Sequence, residues 1–227
     1  MVERPHPDER RLPDGRLLRR WVVTGPIGAG KSLAVAELAA LGARVVDADA
    51  EGRALLAEPG MPADVAAALG PAVLRGGEVD RAAVAALVFA DPDALARLNA
   101  LTHPRLAARL AARLREHEAA AREPGLAVVE AAVYFLLPPF GPVDLVVAVD
   151  APPELRVSRL AASGRFDAAA ARVRAEAQRS LLGAYTRADV VLRNEGGPDD
   201  LRRAVRALVV ARAPVLTSPD APPREGP

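Results

Sequence analysis

Apolar positions along the chain follow two rhythms. Short unbroken runs at Trp21–Val22–Val23, Leu126–Val129, Leu145–Val149 and Val190–Leu192 predict strands buried on both faces, and Arg44–Val45–Val46 predicts one more. Between them, apolar residues recur at helical spacing. Leu33, Val35, Ala36, Leu38 and Leu41 form such a stripe, stopped by Gly42 as a C′ residue. Further helices are predicted at roughly 62–69, 80–90, 92–101, 104–122, 153–161, 168–182 and 199–212. Asp80 and Asp91 are placed as N-caps, and Pro92 and Pro104 as first helical residues. Strands alternating with helices imply a parallel sheet. Residues 52–122 carry helical signals alone, which predicts a helical lobe inserted between strands.

The first strand runs into Gly25–Pro26–Ile27–Gly28–Ala29–Gly30–Lys31–Ser32, a match to G-x-x-x-x-G-K-[ST] followed at once by the helix that starts near Leu33. Gly25 and Gly30 allow backbone dihedrals and close approaches that a Cβ would block. The N–H groups of such a loop, with the helix N-terminus behind them, make a cradle for phosphate oxygens. Lys31 supplies a compact, mobile charge to β- and γ-phosphates, and Ser32 a hydroxyl ligand for Mg²⁺. ATP and Mg²⁺ are thus the cofactors expected. The fold class is α/β, a P-loop NTPase fold with a five-stranded, mainly parallel sheet flanked by helices, the inserted lobe and a short helical lid. The lid is expected over about 154–182, where two helices meet at Ser163–Gly164–Arg165.

Composition sharpens this in one respect. Of 30 basic residues only one is a lysine, and it is Lys31. The 29 acidic residues nearly cancel the basic ones, so neither a nucleic-acid partner nor a polybasic membrane contact is expected. The chain has no cysteine, which excludes disulfides and thiolate metal sites. No apolar run approaches the ~20 residues of a membrane span, and the first twenty residues lack a leader's apolar stretch. A cytoplasmic location is expected. Residues 1–19 and 213–227 are Pro-rich and polar and read as disordered tails around a domain at 20–212.

The second predicted strand ends in Asp47–Ala48–Asp49, at the carboxyl edge where open α/β sheets bind ligands. A carboxylate there can serve Mg²⁺ through water or take a proton from an attacking hydroxyl, or it can cap the next helix. Glu130, after four apolar residues, fits the Walker B pattern. His103, ahead of Pro104, is either a substrate contact or a helix entry. Arg97, Arg105, Arg109 and Arg113 read as a solvated helix face.

Taken in order, these motifs resemble the dephospho-CoA kinase family across about residues 21–210. The glycine loop resembles that family's G-G-I-G-S-G-K-S, and Val45–Val46–Asp47–Ala48–Asp49 its V-I-D-A-D. Leu87–Pro92 and Leu101–Pro104 are similar to its lobe signatures, Val147–Glu154 to the strand before its lid, and Ala188–Gly196 to A-D-x-V-I-x-N-x-G. The resemblance implies ATP-dependent phosphorylation of the ribose 3′-hydroxyl of dephospho-CoA. It implies Asp49 as base, Asp47 as its support or a metal ligand, a lobe that holds the acceptor with His103, and an Asn194–Gly196 turn bordering adenine. Three positions depart from the pattern. Glu130–Leu136 replaces Asp-x-Pro-Leu-Leu-Phe-Glu, Leu33 stands for a threonine, and Ser163–Gly164 falls where the lid's Arg-Asp belongs. Arg165, Arg172 and Arg174 are the candidates to supply the missing lid cation. Two other readings remain open: a P-loop kinase for a nucleoside or nucleotide, and a weakly active ATP-binding regulatory module.

Overall fold

The computed structural model describes residues 11–164, 167–177 and 182–213. They divide into two compact units. The first comprises Met1–Val46, Leu114–Ala132 and Pro142–Pro227, and the second Asp47–Arg113 and Val133–Gly141.

The first unit is built on a five-stranded sheet. Its strands are β1 (Leu18–Thr24), β2 (Arg44–Asp47), β5 (Gly125–Glu130), β6 (Leu145–Asp150) and β7 (Val190–Arg193), in the order β2-β5-β1-β6-β7. β1 runs parallel to β5 and β6, and β6 parallel to β7. The three central strands are almost wholly buried, which is why their sequences are continuous apolar runs. At the edge, β7 alternates half-buried and exposed residues instead. Helices α1 (Lys31–Ala40) and α9 (Pro198–Arg212) cover one face, joined by a core of Trp21, Val23, Val35, Leu38, Val147, Leu201 and Val205. Glu37, only 7% exposed, is held between them by Arg206 at 2.5 Å. α1 ends as expected at Gly42, with φ +96°. The N–H of Ala43 returns to Leu38 O and that of Gly42 to Ala39 O, satisfying the last carbonyls.

β1 begins three residues ahead of the apolar run, so the N-terminal tail expected to reach residue 19 is shorter. Leu18 is 2% exposed and belongs to the sheet. The extension rests on carboxylates distant in sequence: Glu118 accepts the N–H groups of Leu17 and Leu18, and Asp144 accepts that of Arg20 while pairing with Arg16.

The second unit holds α2 (Ala48–Leu56), α3 (Met61–Leu69), a hairpin of β3 (Leu74–Arg75) and β4 (Glu78–Val79), α4 (Arg81–Ala90) and most of α5 (Pro92–Ala119). Asp80 and Asp91 cap as predicted, each accepting a helix N–H on its Oδ1. Three expectations are corrected here. The region is not purely helical: Gly76 and Gly77, at φ +61° and +87°, make the tight turn of a hairpin. The two helices expected at 92–101 and 104–122 are one, with Pro104 inside it. The arginines of α5 are not a solvated face. Arg105 pairs with Asp64, Arg109 with Glu51 and Glu58, and Arg113 with Glu51, so they lash α5 to α2 and α3. Among the described residues no helix is long and apolar enough to cross a membrane.

Candidate active site

The glycine segment leaves β1 at Thr24, whose side chain is fully buried. Gly25 adopts φ +135°, and a Cβ there would stand 2.1 Å from the carbonyl oxygen of Val149 in β6. Gly30 is the N-cap of α1 at φ +106°, where a Cβ would meet Asn194 Nδ2 at 2.4 Å. Both glycines are therefore required by contact as well as by dihedral. Gly28, at φ +77°, lies against the backbone of Arg156 in α6 (Pro153–Ala162). The loop is thus braced by β6, α6 and the turn after β7. Having no side chain, Gly30 leaves the first N–H groups of α1 to another acceptor, the arrangement that receives an oxyanion.

Lys31 Nζ spans this loop and donates to Pro26 O at 3.1 Å. Ser32 Oγ donates to Glu130 Oε1 at 3.0 Å. Glu130 ends β5 opposite Val23, one strand over from the loop, so the sheet itself delivers the carboxylate to the hydroxyl. A hydroxyl and a carboxylate side by side are hard oxygen donors that suit Mg²⁺, which keeps most of its shell as water and phosphate. Ser32 and Glu130 are the residues that could hold it. Glu130 was legible as a Walker B acid, but only its partner makes it a site residue. Leu33 packs its side chain against the core, so what it can offer an anion is its main-chain N–H.

Asn194 is 5% exposed and wired to the loop. Its Nδ2 donates to Ala29 O at 2.8 Å, and its main-chain N–H to Asp150 O at 2.7 Å. Arg159 of α6 reaches the same turn, donating through Nη2 to Asn194 Oδ1 at 3.3 Å and to Gly196 O at 3.0 Å. Gly196 has no room for a Cβ, which would lie 2.3 Å from Asp200 Oδ2. Sequence reasoning noted Arg159 only for its place in the family pattern. Nη1 of Arg159 is buried with no hydrogen-bond partner, and so is Nη1 of Arg156, whose side chain is 2% exposed. Two uncompensated donors on one helix beside the loop are costly in isolation. Tyr185, on the short helix α8 (Leu182–Tyr185), donates its hydroxyl to Ala132 O, and burial pushes its pKa up to about 12.

The remaining candidates lie elsewhere. Asp47 is the N-cap of α2: its Oδ1 accepts the N–H groups of Asp49 and Ala50 at 2.8 and 3.0 Å, and its Oδ2 lies 3.8 Å from Arg53. Asp49 is in the first turn of α2 and exposed. Asp47 thus does the capping that competed with a chemical role, and Asp49 keeps an exposed carboxylate. His103 is not a helix entry but an interior residue of α5, its Nδ1 within 3.2 Å of Leu136 O. Burial lowers its pKa below the usual value, against the opposing pull of that carbonyl. Of the lid candidates, Arg172 pairs with Glu154 at 3.2 Å on the surface and Arg174 is exposed on α7 (Ala168–Ala177). Arg165 lies outside the described residues. Ser163, at the expected lid-arginine position, closes α6 and donates to Leu160 O.

The family model for dephospho-CoA kinase matches residues 21–200. A dephospho-CoA kinase of Deinococcus radiodurans is 41% identical over 178 residues, covering 78% of this chain and 84% of its own. One from Moorella thermoacetica is 39% identical over 188 residues, covering 82% and 88%. Among solved structures, TT1252 of Thermus thermophilus superposes with a TM-score of 0.68 at 33% identity, covering 86% of this chain and 98% of that one. A dephospho-CoA kinase of Campylobacter jejuni, at 19% identity and a TM-score of 0.58, shares the fold, with 86% of this chain and 98% of that one covered.

Proposed function

The chain belongs to the dephospho-CoA kinase family, and we propose that it transfers the γ-phosphoryl group of ATP to the ribose 3′-hydroxyl of dephospho-CoA, yielding coenzyme A and ADP. The observation that carries phosphoryl transfer is the braced loop with Lys31 across it and the Ser32–Glu130 pair at its end. Family membership carries the acceptor.

In this reading the triphosphate lies in the loop's N–H cradle. Lys31 exchanges Pro26 O for β- and γ-phosphate oxygens, a short swing for a flexible side chain. Ser32 and Glu130 hold Mg²⁺, which supplies neutralisation of the charge on those oxygens. Arg159 and Asn194 border the adenine, with Gly196 beside it. The acceptor binds to the helical unit, His103 contributing a neutral imidazole. Asp49 takes the proton of the 3′-hydroxyl as that oxygen bonds to the γ-phosphorus and the bridging bond to ADP breaks. Asp47 fixes the first turn of α2 on which Asp49 sits. Catalysis of this kind is mostly positioning and charge neutralisation. Incubation with Mg·ATP and dephospho-CoA should yield a product with the mass of coenzyme A. If folded protein makes none, the assignment is wrong, and turnover of a nucleoside or nucleotide instead would redirect it.

A further inference from the structure

Helix α7 has little of its own to keep it in place. It has ten residues, fewer than the ~12–15 at which an isolated helix becomes marginally stable in water. Its buried side chains are two alanines, Ala171 and Ala175, one turn apart on a single face. Asp167 caps its start, accepting the Ala170 N–H at 2.7 Å, but a cap is local and docks nothing. Its printed ion pair to α6, Arg172 with Glu154, joins side chains 66% and 76% exposed, where such pairs contribute little.

What the alanine face meets is a small apolar cluster with Val157 and Leu160 of α6, and packed against that cluster is Ile27. Ile27 belongs to the phosphate loop. The next residue, Gly28, is already pressed on the backbone of Arg156, so the loop's middle lies flat on α6. Alanines leave a shallow surface that a branched side chain can fill, and loss of those methyl groups leaves a void that two alanines cannot close.

We propose that Ile27 is a positioning residue that seats α7 on α6, so that the phosphate loop and the helix pair become ordered together. The second half of this proposal rests on the nucleotide reading of the loop; the seat itself does not. Reciprocity then requires that whatever orders the loop also slows the opening of α7.

Hydrogen exchange tests both halves. In nucleotide-free protein, Ile27→Ala should raise the exchange rate of α7 amides about tenfold, with β5 and β6 amides unchanged. Ile27→Val should restore most of the protection, and it stands in should the alanine variant fail to fold, with a rise of about twofold. Equal α7 exchange in wild type and both variants would overturn the seat. With saturating Mg·AMPPNP, α7 should slow further in wild type and not in Ile27→Ala. Equal slowing in both would overturn the coupling. If wild-type protein does not bind the analogue in calorimetry, the nucleotide assignment fails, while the nucleotide-free comparison still decides the seat.

Discussion

Single residues separate those that hold shape from those that hold charge. Glu130 does both, since it accepts from Ser32 and ends a central strand. Glu130→Gln keeps a hydrogen-bond partner for Ser32 but removes the carboxylate charge. We expect a roughly tenfold rise in the Mg²⁺ concentration for half-maximal activity, with thermal stability nearly unchanged. An unaltered Mg²⁺ dependence would take Glu130 out of the metal shell. His103 allows a test by pH. Burial lowers its pKa in the folded state below the model value of 6.5, so the unfolded chain binds the proton more readily. Its penalty is absent above pH 6.5 and grows as pH falls from there towards the folded pKa. Denaturant melts should therefore lose stability from pH 6.5 to 5, and His103→Gln should flatten that slope. An identical slope in the variant would mean other groups set it.

Among the elements, α5 departs furthest from its sequence. Proline removes an N–H and crowds the preceding turn, so a boundary at Pro104 is the natural local inference. The helix runs through it because its arginines are anchored on Glu51, Glu58 and Asp64 of α2 and α3. Several charge-assisted contacts along one rigid rod outweigh a single lost hydrogen bond of about 1 kcal/mol. Pro104→Ala restores the donor and should stabilise the protein by about 1–3 kcal/mol in urea unfolding. A loss of stability would show that the kink is needed by its surroundings. The caps behaved in the opposite way. Asp80, Asp91 and Gly42 stand where their sequence places them, because a cap bonds only to neighbours within a few residues.

For the molecule as a whole, ligand linkage gives the simplest check on the loop. Mg·AMPPNP at about 100 times its Kd should add about 2.7 kcal/mol of stability to wild-type protein. Lys31→Ala should lose most of that gain and slow turnover by at least about a hundredfold; full stabilisation and activity in the variant would remove Lys31 from phosphate binding. The sequence alone determined the α/β class, the order of strands and helices along the chain, and the loop with its lysine. Each of these depends on residues within one turn or one strand of each other, so local pattern carries them. Only the tertiary structure decided which carboxylate meets Ser32, that Asn194 ties to Ala29 and to Arg159, and that Asp47 spends its Oδ1 on a helix cap. It also joined Val133–Gly141 to the helical unit across some twenty residues of intervening sheet and helix. These partners lie from two to more than 150 positions apart, and their choice is made by the β2-β5-β1-β6-β7 order of the sheet, by competition for hydrogen bonds and by what each helix must bury.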